Sequence, residues 1–200
     1  AITEAELPGI LTKAIEVEGS QLAFAKKHGF SAGYVSDLVK GRRDAALRAL
    51  VEGVPYIGFL GIQFDRRGDE LTAVLPYRDS HIGNPLLPAL HGGVTAAFLE
   101  VTAIIELGWA MIWEEMENGR VAGQDTAPVP VPRLPKTIDF TVDYLRSGLP
   151  RDAYARARVN RQGRRYASVH VEAWQDNRAR LFAQATGHFL MPEPMGGEGR

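Results

Sequence analysis

The chain contains no cysteine. That excludes disulfides, thiolate catalysis and cysteine-ligated metals, and it fits a reducing compartment. Net charge is also nearly absent. Twenty-three lysines and arginines against 24 aspartates and glutamates leave −1 at pH 7, so the whole chain is no attractor for nucleic acid or anionic lipid, and any basic patch must be local. Long uninterrupted apolar runs are missing too. The longest stretch, 94–113, is broken by Glu100 and Glu106 and reads as a core helix, not a membrane span. The opening AITEAELPGILTKAIEVEG carries acidic residues and no signal-type apolar core, so a cytoplasmic protein is expected. At 200 residues and 45% hydrophobic, the chain has enough apolar material for one cored domain with a small appendage.

Two regions differ in pattern. Residues 1–50 divide into ILTKAIEVEG, SQLAFAKKHG, SAGYVSDLVKG and DAALRALVEG. Each piece ends in glycine, two begin at serine and one at aspartate, so a helical N-terminal segment is predicted. Beyond it, FLGIQFDRRGDELTAVLPY alternates and pivots at RRGDE as a hairpin. A turn-rich loop, DSHIGNPLLPAL, leads to a helix predicted from Gly92 to Asn118, with Gly119 as its stop. RVAGQDTAPVPVPRLP is too proline-rich for regular structure and reads as a loop or lid. KTIDFTVDYLRSG, DAYARARVNRQG, RRYASVHVEAWQDN and RARLFAQATGHFLMP read as four strands, consecutive ones antiparallel. Residues 51–192 thus form the main domain, and 193–200 a disordered tail. The helix is apolar on nearly every face and has to be wrapped. The expected class is α+β, a curved antiparallel sheet around a long central helix.

The chemistry gathers where that helix begins. His91 precedes Gly92 and Gly93, and glycines at a helix start admit a ligand close to the backbone. The first-turn N–H groups lack intrahelical partners and carry partial positive charge. One such donor aimed at a developing oxyanion is worth roughly 3 kcal/mol of barrier. Paired glycines equally allow nothing more than a tight turn. Glu100 shares the face of Gly93 but lies about 10 Å along the axis, too far to act on a carbonyl held at its own helix start. Its partner helix start is expected from a second copy, with the site shared across a two-fold dimer. Glu106 lies about 240° round the helix from Glu100 and is expected at an edge or in a structural hydrogen bond.

HIGNPLLPALHGGVTAAFLE, with VPYIGFLGIQF before it and KTIDFTVDYLRSG after it, resembles the hotdog-fold acyl-CoA thioesterases, specifically the phenylacetate-pathway (PaaI-like) group. The resemblance spans about residues 50–192. It implies a six-stranded sheet around one helix, homodimers forming a dimer of dimers, and hydrolysis of an aryl- or medium-chain acyl-CoA. Coenzyme A is then part of the substrate, and no cofactor or metal is implied. Glu100 would be general base or nucleophile. The N–H of Gly93, with Gly92, would polarise the carbonyl. Asn84 would position water or the carbonyl, Thr137 would hold the attacking water, and His91 would orient a loop or contact substrate. Many relatives have aspartate where Glu100 stands. Coenzyme A phosphates call for arginines at the rim, and Arg146, Arg156, Arg158, Arg161 and Arg164 are the candidates. A solvated strand face would carry the same residues.

QLAFAKKHGFSAGYVSDLVKG resembles a phage-repressor-type helix-turn-helix, with Ala25 for close packing, Gly29 for the turn, and Val35 and Leu38 as anchors. Lys26, Lys27, Lys40, Arg42 and Arg43 supply charge suited to DNA phosphates. The acidic first helix and the near-zero total charge count against tight DNA binding. An acyl-CoA-sensing transcription regulator is therefore the alternative to the enzyme. A hydratase using His81 and Glu100 is a third reading, with no matching motif spacing.

Overall fold

The computed structural model describes residues 7–30, 34, 35, 38, 41–67, 69–117 and 133–192. The chain divides into two compact units, Ala1–Ala49 with Met111–Val131, and Leu50–Ala110 with Pro132–Arg200.

The first unit contains α1 (Leu7–Glu18), α2 (Gln21–His28) and most of α3 (Arg42–Glu52). Ser20 caps α2 by accepting from the Ala23 N–H at 3.1 Å, and Gly29 ends it at φ 73°. Ile15, Phe24, Ala25 and Val35 form a buried cluster, with Leu11 and Ala14 against it. Two of the expected DNA contacts are redirected. Arg43 is 1% exposed, its guanidinium 3.7 Å over the Trp113 ring and 5.1 Å from the Tyr34 ring. A cation flattened on aromatic faces inside the protein is not presented to a phosphate, so Arg43 is corrected to a core residue. Lys27 is ion-paired with Glu18. Lys26 is exposed. Lys40 and the side chain of Arg42 lie outside the described residues, as do the proline-rich 118–132 stretch with the helix stop at Gly119, and the 193–200 tail.

In the second unit, Pro55 opens a short helix, α4 (Pro55–Leu60), closed by Gly61 at φ 71°. Phe59 and Leu60, which alternation assigned to the first strand, end this helix instead, because proline at N1 presets its first turn. β1 (Gln63–Arg67) and β2 (Glu70–Leu75) form the expected hairpin. A 3-10 turn at Asp79–His81 leads into a two-stranded ribbon, β3 (Ile82–Asn84) with β4 (Ala89–Leu90). Then comes α5 (Gly92–Glu117), followed by β5 (Lys136–Tyr144), β6 (Ala153–Gln162), β7 (Tyr166–Trp174) and β8 (Ala183–Leu190).

The six-stranded antiparallel sheet runs β1-β2-β6-β7-β8-β5. β5 therefore pairs with β8 and not with the strand that follows it. The N–H groups of Leu145 and Arg146 both donate to the Phe182 carbonyl, which turns the chain away from a hairpin before Pro150. One edge of β5 is left as an outer edge of the sheet.

The inner sheet face is lined by small side chains. Ala153, Ala155, Ala167, Ala173 and Ala183 are wholly buried, as are Val169 and Val171. Alanine at these positions lets a bulky helix approach closely. Phe98, Leu99, Ala103, Ile105 and Leu107 of α5 are likewise fully buried. α5 is long and apolar enough to cross a membrane, but its apolar surface is consumed inside the fold. Gly187 has the same logic, since a Cβ there would stand 2.5 Å from a Phe140 ring carbon.

Glu106 is half-buried on α5. Burial, then the charges of Asp69 and Glu70, push its pKa up from 4.5 to about 7. One turn on, the Trp109 indole N–H donates to the Asp69 carbonyl at 3.3 Å, tying the β1–β2 turn to the helix. An unfolded glutamate releases its proton near 4.5, and folded Glu106 only near 7. Between those values the native state binds more protons, so stability falls as pH rises and the loss is complete above 7. Glu106→Gln, neutral at every pH, should be more stable than the parent by about 1–3 kcal/mol at pH 8. The gain should shrink towards zero near the unfolded value of 4.5. Urea unfolding at several pH values checks this.

Candidate active site

The start of α5 is held from two sides. The Leu90 N–H donates to the Gly148 carbonyl and the His91 N–H to the His81 carbonyl, both at 2.8 Å. No serine, threonine, aspartate or asparagine stands at the N-cap. His91 fills that place, its Nδ1 accepting from the Gly93 N–H at 2.9 Å. A ring nitrogen that accepts carries no proton, so a neutral His91 has its proton on Nε2. The Tyr144 hydroxyl, at the end of β5, donates to the Gly92 carbonyl at 2.8 Å.

This changes the assignment within the glycine pair. Gly93, expected as the leading carbonyl-polarising donor, already spends its N–H on His91. The Gly92 N–H has no hydrogen-bond partner among the described residues. Like the Val94 N–H, which also has no partner among the described residues, it is left to meet a ligand at the positive end of a 26-residue helix.

The structure brings Glu100 and Thr137 together. The Thr137 Oγ1–H donates to Glu100 Oε1 at 2.6 Å, across 37 residues of sequence. Both side chains are half-buried. Thr137 is the second residue of β5, beside the register irregularity between Thr137 and Asp139. Its hydroxyl occupies one carboxylate oxygen and leaves the other open. Glu100 and the helix start remain about 10 Å apart along one axis.

Asn84 is exposed, and its Oδ1 accepts from the N–H groups of Leu86 and Leu87, at 3.0 and 3.4 Å. Its oxygen is thus spent on the turn, and its amide N–H groups remain to position a water or an acyl carbonyl. His81 is 3% exposed. Burial, then the charge of Arg78, lowers its pKa, and the same burial closes it off from a substrate.

The arginines divide. Arg146 donates to the Leu181 carbonyl at 2.9 Å. Arg156 donates to Thr72 Oγ1 at 2.8 Å and is ion-paired with Glu70. These two brace the sheet. Arg158, Arg161 and Arg164 are exposed. The register break between Val159 and Arg161 sets Arg161 opposite Ser168, while Arg158 stands opposite His170 and Arg156 opposite Glu172. All three share the outer sheet face, and the structure does not bring them to Glu100.

Tyr144 and the capping use of His91 escaped sequence reasoning. A tyrosine closing a strand before a Ser-Gly turn gives no hint of a carbonyl 52 residues away. Among the described residues, no three acidic or histidine side chains gather to hold a metal.

An apolar helix wrapped by an antiparallel sheet, with a glycine-rich helix start and a threonine-held carboxylate, defines a hotdog thioester hydrolase. Comparison with known proteins agrees. The thioesterase superfamily model matches residues 87–181. The medium/long-chain acyl-CoA thioesterase YigI of Escherichia coli (strain K12) is 28% identical over 140 residues, 69% of this chain and 86% of that protein. A crystal structure from Chromobacterium violaceum is 32% identical with a TM-score of 0.52, covering 76% of this chain and 93% of that one. The PaaI protein of the E. coli phenylacetic acid degradation operon shares the fold, at 14% identity and a TM-score of 0.57, covering 76% and 94%. The chain belongs to the thioesterase superfamily.

Tyr144→Phe removes the hydroxyl that anchors the helix start. It should cost about 1 kcal/mol of stability and lower thioesterase turnover several-fold. Unchanged thermal melting and turnover would show the anchor to be idle.

Proposed function

We propose that the protein hydrolyses acyl-CoA thioesters with aryl or medium-length acyl groups. The observation that carries this is the Thr137–Glu100 hydrogen bond, which fixes one carboxylate oxygen and leaves the other to accept a proton from water. The name of the E. coli relative, a medium/long-chain acyl-CoA thioesterase, supports the substrate class.

Glu100 acts as general base. Water gives its proton to the free carboxylate oxygen and attacks the thioester carbon, and the carbonyl electrons move onto oxygen. The Gly92 N–H and the helix dipole stabilise that oxyanion. Its collapse breaks the C–S bond and releases the coenzyme A thiolate, which takes a proton. Solvent supplies that proton and takes the one Glu100 holds, so the carboxylate is restored; the His91 Nε2–H, too weak an acid to be transferred, hydrogen-bonds the sulfur.

Since Glu100 and Gly92 of one chain lie more than 10 Å apart along the helix, the water and the oxyanion donor come from two copies. The outer edge of β5 carries Thr137 next to Ile138, which is 56% exposed. A second copy pairing along β5 with its α5 antiparallel completes two sites per dimer, and such dimers can pair again. Arg158, Arg161 and Arg164 are the cations left for coenzyme A phosphates.

Purified protein should release free thiol from phenylacetyl-, hexanoyl- or decanoyl-CoA. Glu100→Gln should lower kcat by about 10²- to 10⁴-fold, with Thr137→Val intermediate and the melting temperature of both close to the parent's. Full activity in Glu100→Gln would remove Glu100 from the mechanism, and absence of thiol release from every acyl-CoA would remove the substrate class.

A further inference from the structure

The His91 ring is confined by two positions that lack a Cβ. At Gly83, in β3, a Cβ would lie 2.8 Å from His91 Cα, 2.8 Å from its Cδ2 and 3.0 Å from its Cβ. At Gly93 a Cβ would lie 3.0 Å from Nδ1 and 3.2 Å from Cε1. The first set includes a backbone atom, so no rotamer change of His91 could relieve it. Neither glycine has the positive φ that would call for glycine on backbone grounds. Space for the imidazole is what the two positions share.

The ring is located from the backbone as well. The His91 N–H is bound to the His81 carbonyl, one residue before β3 begins, and the His91 carbonyl accepts from the Thr95 N–H at 3.0 Å. The β3–β4 ribbon and the first turn of α5 therefore grip one residue. Within that grip only Nδ1 reaches the Gly93 N–H.

We propose that Gly83 is a positioning residue. With Gly93 it clamps the His91 ring so that Nδ1 caps the helix and the imidazole persists as the single Nε2–H tautomer, turned outward as a hydrogen-bond donor. Gly83 touches no substrate and acts through His91. The inference rests on the proposed thioester hydrolysis for its consequence, but the tautomer itself does not depend on any activity. The clamp has a second effect. While Nδ1 holds the Gly93 N–H, that donor cannot compete with Gly92 for the substrate carbonyl.

The test uses the full chain labelled with 15N at histidine. His91 is assigned by the resonance lost in His91→Gln. In the parent its Nδ1 should show the shift of an unprotonated ring nitrogen and its Nε2 that of a protonated one. Gly83→Ala should give averaged, exchanging shifts at both nitrogens. With acyl-CoA, Gly83→Ala should lower kcat about 10- to 100-fold with KM nearly unchanged. Gly163→Ala, where a Cβ meets nothing closer than 3.5 Å, should leave both readouts as in the parent. Averaged tautomers in the parent, or a Gly83→Ala protein that keeps the parent shifts and kcat, would overturn the clamp. If Gly83→Ala fails to fold, the parent spectrum still decides the tautomer, and Gly93→Ala tests the other jaw. A parent with the Nε2–H tautomer but no thiol release would overturn the hydrolase reading and leave the clamp standing.

Discussion

The constraint from which the rest follows is the burial of α5. A helix of 26 residues with apolar side chains all round cannot rest on a flat surface, because half of it would face water. The sheet solves this with small inner residues. Wholly buried alanines on β6, β7 and β8 let strands close around Phe98, Leu99 and Ile105, and the alternation along β7 is unbroken from Ala167 to Trp174. Larger residues in those rows would hold the sheet away and expose the helix. The same burial makes polar groups on α5 expensive. Thr102 answers by donating to the Phe98 carbonyl at 2.7 Å, and Glu100 by taking the Thr137 hydroxyl. Glu106 meets only burial and the charges of two further carboxylates, and its pKa rises to about 7.

The central helix was legible in advance because its signal is local. The run from Gly92 is long, apolar and opened by glycines, and its observed start is the predicted one. The four later strands were legible for the same reason, since period-two alternation and turn residues sit next to each other in sequence. What failed was the order in which the later strands pair. A Ser-Gly-Leu-Pro connection looks like a hairpin turn, yet β5 finds its partner in β8, nearly 40 residues on. Two backbone bonds to the Phe182 carbonyl decide that, and no local pattern encodes them. Phe59 and Leu60 misled in the other direction. Their apolar alternation suits a strand, but proline at the first helical position and glycine in the left-handed region bracket them as a short helix.

The candidate site divides along the same line. Residue types were readable: an acid on an apolar helix, a glycine pair at its start, a threonine on the next strand. Which hydrogen bond each makes was not. Arginine is the clearest case. Charge alone could not separate Arg43, flattened on Trp113, from an arginine facing water. Nor could it separate Arg156, committed to Glu70 and Thr72, from Arg158 and Arg161 beside it. Asn84 likewise keeps a polar side chain near the helix start and spends its oxygen on the turn.

The assignment of the N-cap has a consequence for how the two ends of the mechanism divide. A serine or aspartate cap would satisfy a first-turn N–H and offer nothing further. Histidine satisfies the Gly93 N–H with one nitrogen and keeps a second nitrogen, and the first bond dictates that the second carries the proton. Capping and hydrogen-bond donation are thus coupled in one side chain. Glu100 has the complementary arrangement, with one oxygen held by Thr137 and one free to accept. Each group is oriented by a bond on its far side, so that the near side has a single chemical role. The acceptor and the donor also stand two helical turns apart, at a separation no single thioester carbonyl can span. In the proposed dimer with antiparallel helices, Glu100 of one copy faces His91 and Gly92 of the other. Proton removal from water and hydrogen bonding to the departing sulfur would then fall on opposite sides of the carbonyl, so that attack and departure are each served by a group already oriented for it.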